Sequence, residues 1–203
     1  MIRPDGDAPR LLILGAGPTQ EPLIRRARDM GLEVMAVDAN PQAPGLTLAH
    51  HPLCISTLEL PAILAQARPF RPHGVTTVGS DRAVSAVAQV ASALGLPGLD
   101  PDAAARANSK LRMRQAFQAR GVPAPRFLAV DDLAAAELAF NELGPPVVIK
   151  PVDNAAQRGV RRLDDPAELP VALGEAQRFS RSGTVLVEQC VDGPEITVSS
   201  FTV

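Results

Sequence analysis

Four short apolar runs recur in the first half of the chain, at residues 11–14, 34–37, 53–55 and 75–78, with amphipathic segments between them. Runs of this length bounded by turn residues read as buried strands, and the segments between them as helices. The clearest helical signal covers residues 80–94, where Val84, Val87, Ala88, Ala91 and Leu94 fall on one face. This alternation constrains the fold more than any other feature. Parallel strands need crossovers, and right-handed crossovers build a sheet with helices on both faces. The expected class for residues 1–98 is therefore an α/β Rossmann-like parallel sheet.

Two turns at strand ends are candidates for ligand contact. Gly15-Ala16-Gly17-Pro18-Thr19-Gln20 follows the first strand, and Asp38 closes the second, a layout shared with dinucleotide-binding folds. Gln20 stands where the third glycine of that fingerprint belongs, and Pro18 removes a backbone donor where a pyrophosphate would sit. A Walker A loop is excluded, because no lysine follows the glycines. The second turn, Gly79-Ser80-Asp81, ends the fourth strand. With strand order 3-2-1-4 both turns open onto one crevice, which makes Gly15, Gly17, Gln20, Gly79, Ser80 and Asp81 candidate substrate-binding residues. The plainer alternative is that Ser80 and Asp81 only cap a helix.

Composition narrows the function. A net charge of −2 and a charged content of 21% give no basic excess for nucleic acid. No run of apolar residues is long enough to span a membrane, and no secretory signal opens the chain, so the cytoplasm is the expected compartment. Cys54 and Cys190 lack partners at metal-site spacing and read as free thiols. All but two of the twenty basic residues are arginine; the exceptions are Lys110 and Lys150. A flexible ammonium is a common phosphate ligand, which draws notice to both.

Gly95, Pro97, Gly98 and Pro101 break the pattern, placing a domain boundary near Gly98. Beyond it, in residues 99–203, the spacing predicts a helix capped by Asn108 or Ser109 that stops at Gly121-Val122-Pro123, with Met113 and Phe117 on one face. Strands are expected at 126–130, 147–150, 185–188 and 196–201, and helices at 132–143 and 166–181. The second half is thus α+β.

The strand ending in Lys150, the polar loop from Asp153 to Val160, and the sequence Glu188-Gln189-Cys190-Val191-Asp192-Gly193-Pro194-Glu195 together resemble the ATP-grasp superfamily. The lead-in helix at Lys110 and the turn Gly121-Val122-Pro123-Ala124-Pro125 are similar to that family as well, and the first domain resembles its preceding domain. Biotin carboxylase, the carbamoyl-phosphate synthase large chain and purine-pathway ATP-grasp enzymes share this arrangement.

The resemblance implies an ATP site. Lys110 and Lys150 would meet the phosphates, and Asn154, Arg158 and Gly159 would lie in the phosphate flap. Glu188 and the backbone of Gln189 and Val191 would hold the purine, and Glu195 the ribose. The flap departs from the family, with Ala155, Ala156 and Gln157 where glycines or other small residues are common. A lid subdomain is expected at about 124–190.

In the family the magnesium ligands lie downstream of the Glu195 position, and this chain ends at Val203. Metal ligands are accordingly expected outside the chain, which reads as truncated, inactive as a fragment, and able to form a homodimer or associate with a C-terminal part. The activity implied for the whole protein is ATP-dependent activation of a carboxylate as an acylphosphate, for attack by an amine or other nucleophile. Its partners would be a small-molecule carboxylate or amine. The alternatives are an NAD-binding oxidoreductase domain and a non-catalytic nucleotide-binding regulatory protein.

Overall fold

A computed structural model describes residues 8–154 and 157–198, and the chain divides into two compact units, Met1–Asn108 and Ser109–Val203. In the first, β1 (Arg10–Leu14), β2 (Glu33–Asp38), β3 (His51–Cys54) and β4 (Gly74–Thr76) form one sheet in the order β3-β2-β1-β4, with every neighbour parallel. This is the order from which the two turns were placed together. Helix α1 (Glu21–Asp29) joins β1 to β2, α2 (Leu60–Phe70) leads into β4, and α3 (Asp81–Leu94) follows it.

Successive strand residues face opposite sides of the sheet. Leu12 and Leu14 of β1 pack with Ile63 and Ala67 of α2 and with Ala83, Ala86 and Val90 of α3. Ile13, between them, packs with Ile24 and Ala27 of α1 on the other side. The turns after β1 and β4 therefore feed helices on opposite faces, as a switch point requires.

One face of α3 differs from expectation. The side chains in the sheet core are Ala83, Ala86 and Val90, with Val87 and Leu94 half-buried beside them. Ala88 and Ala91 are also buried, because α3 is covered on more than its sheet side. Helix α4 (Pro101–Ala107) packs on α3, and a Cβ on Gly98 would lie 2.8 Å from the Ala91 Cβ. Asn108 Nδ2 also donates to Ser85 Oγ, at 2.8 Å. These contacts carry the division of the chain past Gly98 to Asn108.

In the second unit, α5 (Lys110–Ala119) is capped by Ser109, whose Oγ accepts from the Arg112 N–H at 3.3 Å. Strands β5 (Phe127–Val130), β6 (Val147–Pro151), β7 (Arg161–Leu163) and β8 (Val185–Gln189) form an antiparallel sheet in the order β5-β8-β6-β7. Helices α6 (Leu133–Leu143) and α7 (Leu169–Phe179) cover one face, where Val147, Ile149, Val185 and Val187 meet Ala136, Phe140, Leu173 and Ala176.

The strand expected at 196–201 is corrected over residues 196–198. Residues 196–198 have no regular structure, and Ile196 and Val198 are 78% and 81% exposed; residues 199–201 lie outside the described residues. An alternating pattern makes a strand only beside a partner, and residues 196–198 pair with no strand of the sheet β5-β8-β6-β7. Conversely β7 is found where no strand was expected, since three residues are too few for periodicity to register.

Gly79 has φ +63° and a Cβ there would fall 2.3 Å from Thr19 Cγ2, whereas Gly95, at φ +64°, faces open space. We expect Gly79→Ala to destabilise the first unit by about 2 kcal/mol or more, and Gly95→Ala by about 1 kcal/mol, the conformational cost alone. Urea midpoints of the two variants check this; equal losses would show that the close approach contributes nothing.

Candidate functional site

The antiparallel register sets the site. Val148 and Phe127 both lie opposite Glu188, and Lys150 lies opposite Leu186, so these five residues share the sheet face turned away from α6 and α7. Lys150 and Glu188 are then diagonal neighbours, within reach of long side chains. Lys150 Nζ donates to Glu188 Oε2. From α5, Arg114 grips the same carboxylate with both ends of its fork, Nε to Oε1 at 2.7 Å and Nη2 to Oε2 at 3.2 Å. The Glu188 side chain is 3% exposed, and those of Arg114 and Lys150 are 16% and 15%.

Burial pushes the Glu188 carboxyl up, but hydrogen bonds and charge from Arg114 and Lys150 outweigh it and hold the group below its ordinary value. The cluster joins two cations to one anion and so carries net positive charge. Lys110 adds a third cation on the same unit. Its backbone N–H donates to Val152 O at 2.8 Å, and its Nζ donates to Asn154 O, which fixes the start of α5 to the chain leaving β6.

That loop is rooted by Asp153. Its Oδ1 accepts from the Arg181 N–H at 3.0 Å and its Oδ2 from the Ser182 N–H at 3.1 Å, while Arg181 Nη2 donates to Asp153 O at 2.7 Å. Arg158 Nη2 donates to Asn154 Oδ1 at 3.1 Å across the loop. Gln157 has φ +58°, a region in which glycine sits without cost, so a glycine-like backbone persists at a non-glycine position. Gly159, at φ +72°, lies against α7, where a Cβ would come 3.0 Å from Phe179 Cδ2. Ala155 and Ala156 lie outside the described residues.

Beyond β8, the Gln189 N–H is taken by Arg126 O at 2.9 Å, which removes it as a donor to a ligand. Val191 and Glu195 are exposed on chain without regular structure. The structure thus brings Lys150 and Glu188 together and ties Lys110 to Asn154. Arg114 was missed by sequence reasoning. Its signal was its place one helical turn after Lys110, hence on the same face of α5.

In the first unit the two turns meet. Gln20 is buried at 7% exposure, packs where a Gly15 Cβ would be, and donates from Nε2 to Val78 O. Thr77 Oγ1 donates to Leu14 O at 2.7 Å. Asp38 accepts from the Ala16 N–H at 2.8 Å and the Asn40 N–H at 2.9 Å, so both its oxygens hold backbone where a dinucleotide fold would offer them to ribose. Gly17 is half-buried and Gly79 and Asp81 are exposed at this seam, while Ser80 caps α3. Among the described residues no group of three or more His, Cys, Asp or Glu gathers.

Residues 115–200 match the model of the ATP-grasp domain. The chain belongs to the ATP-grasp superfamily. It is 30% identical, over 91% of its length, to formate-dependent phosphoribosylglycinamide formyltransferase of Burkholderia lata, and covers 47% of that protein. Among solved ATP-grasp structures, an L-amino acid ligase from Bacillus licheniformis is 26% identical, with a TM-score of 0.72 over 92% of this chain and 45% of the other. An N5-carboxyaminoimidazole synthetase from Staphylococcus aureus, complexed with ADP, is 14% identical and shares the fold, with a TM-score of 0.75 over 91% of this chain and 48% of the other. The chain spans about half the length of the curated relatives it matches. No helix among the described residues is long and apolar enough to cross a membrane.

The depressed value of Glu188 fixes the sign of an acid effect. Its ion pairs contribute fully above the ordinary carboxylate range, and that contribution is lost as pH falls through the lower value held in the folded state. Urea midpoints of the second unit should fall on acidification, with a flatter acid limb in Glu188→Gln. Parallel acid limbs in the two proteins would contradict the assignment.

Proposed function

We propose that the second unit binds ATP on the open face of its sheet. The observation that carries this is where the chain's only two lysines lie: Lys150 is joined to the buried carboxylate of Glu188, and Lys110 to the backbone at the root of the loop after β6. A triphosphate needs mobile positive charge, which an ammonium on a flexible stem supplies. A purine amino group needs a buried acceptor in fixed geometry, which Glu188 supplies. In this reading Lys110 and Lys150 meet the phosphates, Asn154, Arg158 and Gly159 border them, and the carbonyl side of Gln189 with the backbone of Val191 edges the purine. Glu195 reaches the ribose hydroxyls. The ADP bound by the Staphylococcus aureus synthetase, which has the same fold, supports the choice of ligand.

For the whole protein we propose that ATP activates a carboxylate as an acylphosphate for attack by an amine or another nucleophile. The small-molecule acceptor is assigned to the first unit, at Gly17, Gly79, Ser80 and Asp81, with Gly15 and Gln20 bracing the turn behind them. The steps assigned to this chain's own residues are those of binding. A dinucleotide in that crevice is the weaker reading, because Asp38 and Gln20 are already engaged within the fold.

Calorimetric titration of the chain with ATP is the direct test. Lys150→Met should weaken binding about tenfold to a hundredfold, the value of one charge-assisted hydrogen bond, and bound ATP should protect Lys150 from acylation. Saturable binding of NADH without any effect of ATP would overturn the proposal.

A further inference from the structure

The reading above leaves Arg114 without a role, yet it makes the most extensive contact in the cluster. An ionised carboxylate offers about four acceptor sites. Three of those on Glu188 are filled, two by Arg114 and one by Lys150. The two cations differ in kind. Lys150 holds a single oxygen through a flexible chain, whereas Arg114 clamps both oxygens with a planar fork that holds one orientation. Its side chain is 16% exposed, and it is anchored on α5, an element separate from the strands that carry the other two.

We propose that Arg114 is the positioning residue for the purine: it keeps the Glu188 carboxylate in place and charge-balanced while Lys150 moves to phosphate and an adenine amino group takes the acceptor site Lys150 leaves. This rests on the ATP reading and extends it to base selection. Without Arg114, the departure of Lys150 would leave a buried carboxylate with no cation, a state that burial penalises strongly. The group then either retains Lys150, which weakens the hold on phosphate, or takes up a proton. A protonated Glu188 donates rather than accepts, and so suits a base with a 6-oxo group in place of the 6-amino group. Arg114 thereby makes the site an adenine site rather than a general purine site.

The experiment is a parallel titration of the chain and its variants with ATP and with inosine triphosphate, whose base carries the 6-oxo group. The expected preference of the unaltered chain for ATP is about tenfold or more, since the wrong base leaves a buried acceptor unpaired. Arg114→Met should bring the two affinities to within about threefold of each other. Arg114→Lys, which keeps the charge without the fork, should restore part of the preference and also serves if the Met variant does not fold. An unchanged preference in these variants, with ATP still bound, would overturn the role of Arg114 and leave the ATP site standing. Failure of the unaltered chain to bind either nucleotide would overturn both.

Discussion

A carboxylate 3% exposed at its side chain is the constraint around which the second unit is arranged. Glu188 is tolerable there only because cations reach it from two directions, and those cations come from α5 and β6. Neither contact is local in sequence. Burying three charges is not in itself a route to stability, since well-packed apolar residues of the same volume often do as well or better. The arrangement instead ties α5 to the sheet at two points, where Arg114 meets Glu188 and where the Lys110 N–H meets Val152 O. The apolar work of folding is done on the opposite face by α6 and α7, which leaves the charged face available for a ligand.

The first unit treats its own switch point differently. In a dinucleotide-binding sheet the space between the two central turns is left for pyrophosphate, and the acidic residue after the second strand faces ribose. Here Gln20 fills that space and reaches Val78 O, Thr77 reaches Leu14 O, and Asp38 braces Ala16 and Asn40. The same topology yields a seam in place of a slot, with its remaining small and polar residues at the rim. Where the fingerprint has glycine, this chain has Gln20, held by its bond to Val78 O.

Much of this was legible in the sequence because it depended on short-range signals. Turn chemistry and period indicated the parallel strands of the first sheet, the Ser80 cap, a cap at Asn108 or Ser109, and Lys150 and Glu188 at strand ends; the strand order entered as a condition and is the one found. What escaped depended on partners distant in sequence. Arg114 is one arginine among many, and its partner is 74 residues away. The buried face of α3 was misjudged because α4 covers a second side, which periodicity in α3 alone does not encode. The strand expected around Ile196 had the right alternation, but residues 196–198 have no strand beside them. A hydrophobic pattern states what a segment is able to do, and the neighbours decide whether it does so.

The two-faced sheet has a further consequence for how such a chain can vary. In β6 and β8 the residues facing α6 and α7 alternate one for one with those facing the charged side, so Val147, Ile149 and Val187 are interleaved with Val148, Lys150 and Glu188. Inserting or deleting a single residue inside either strand would exchange the two sets, sending Lys150 or Glu188 into the apolar layer and valine out to the charged one. Point substitutions on these strands can be graded in effect, but changes of length there cannot. Length variation in this unit is better placed in the connections, and the spacing within each strand sets which side chains meet on the charged face as much as the residues themselves do.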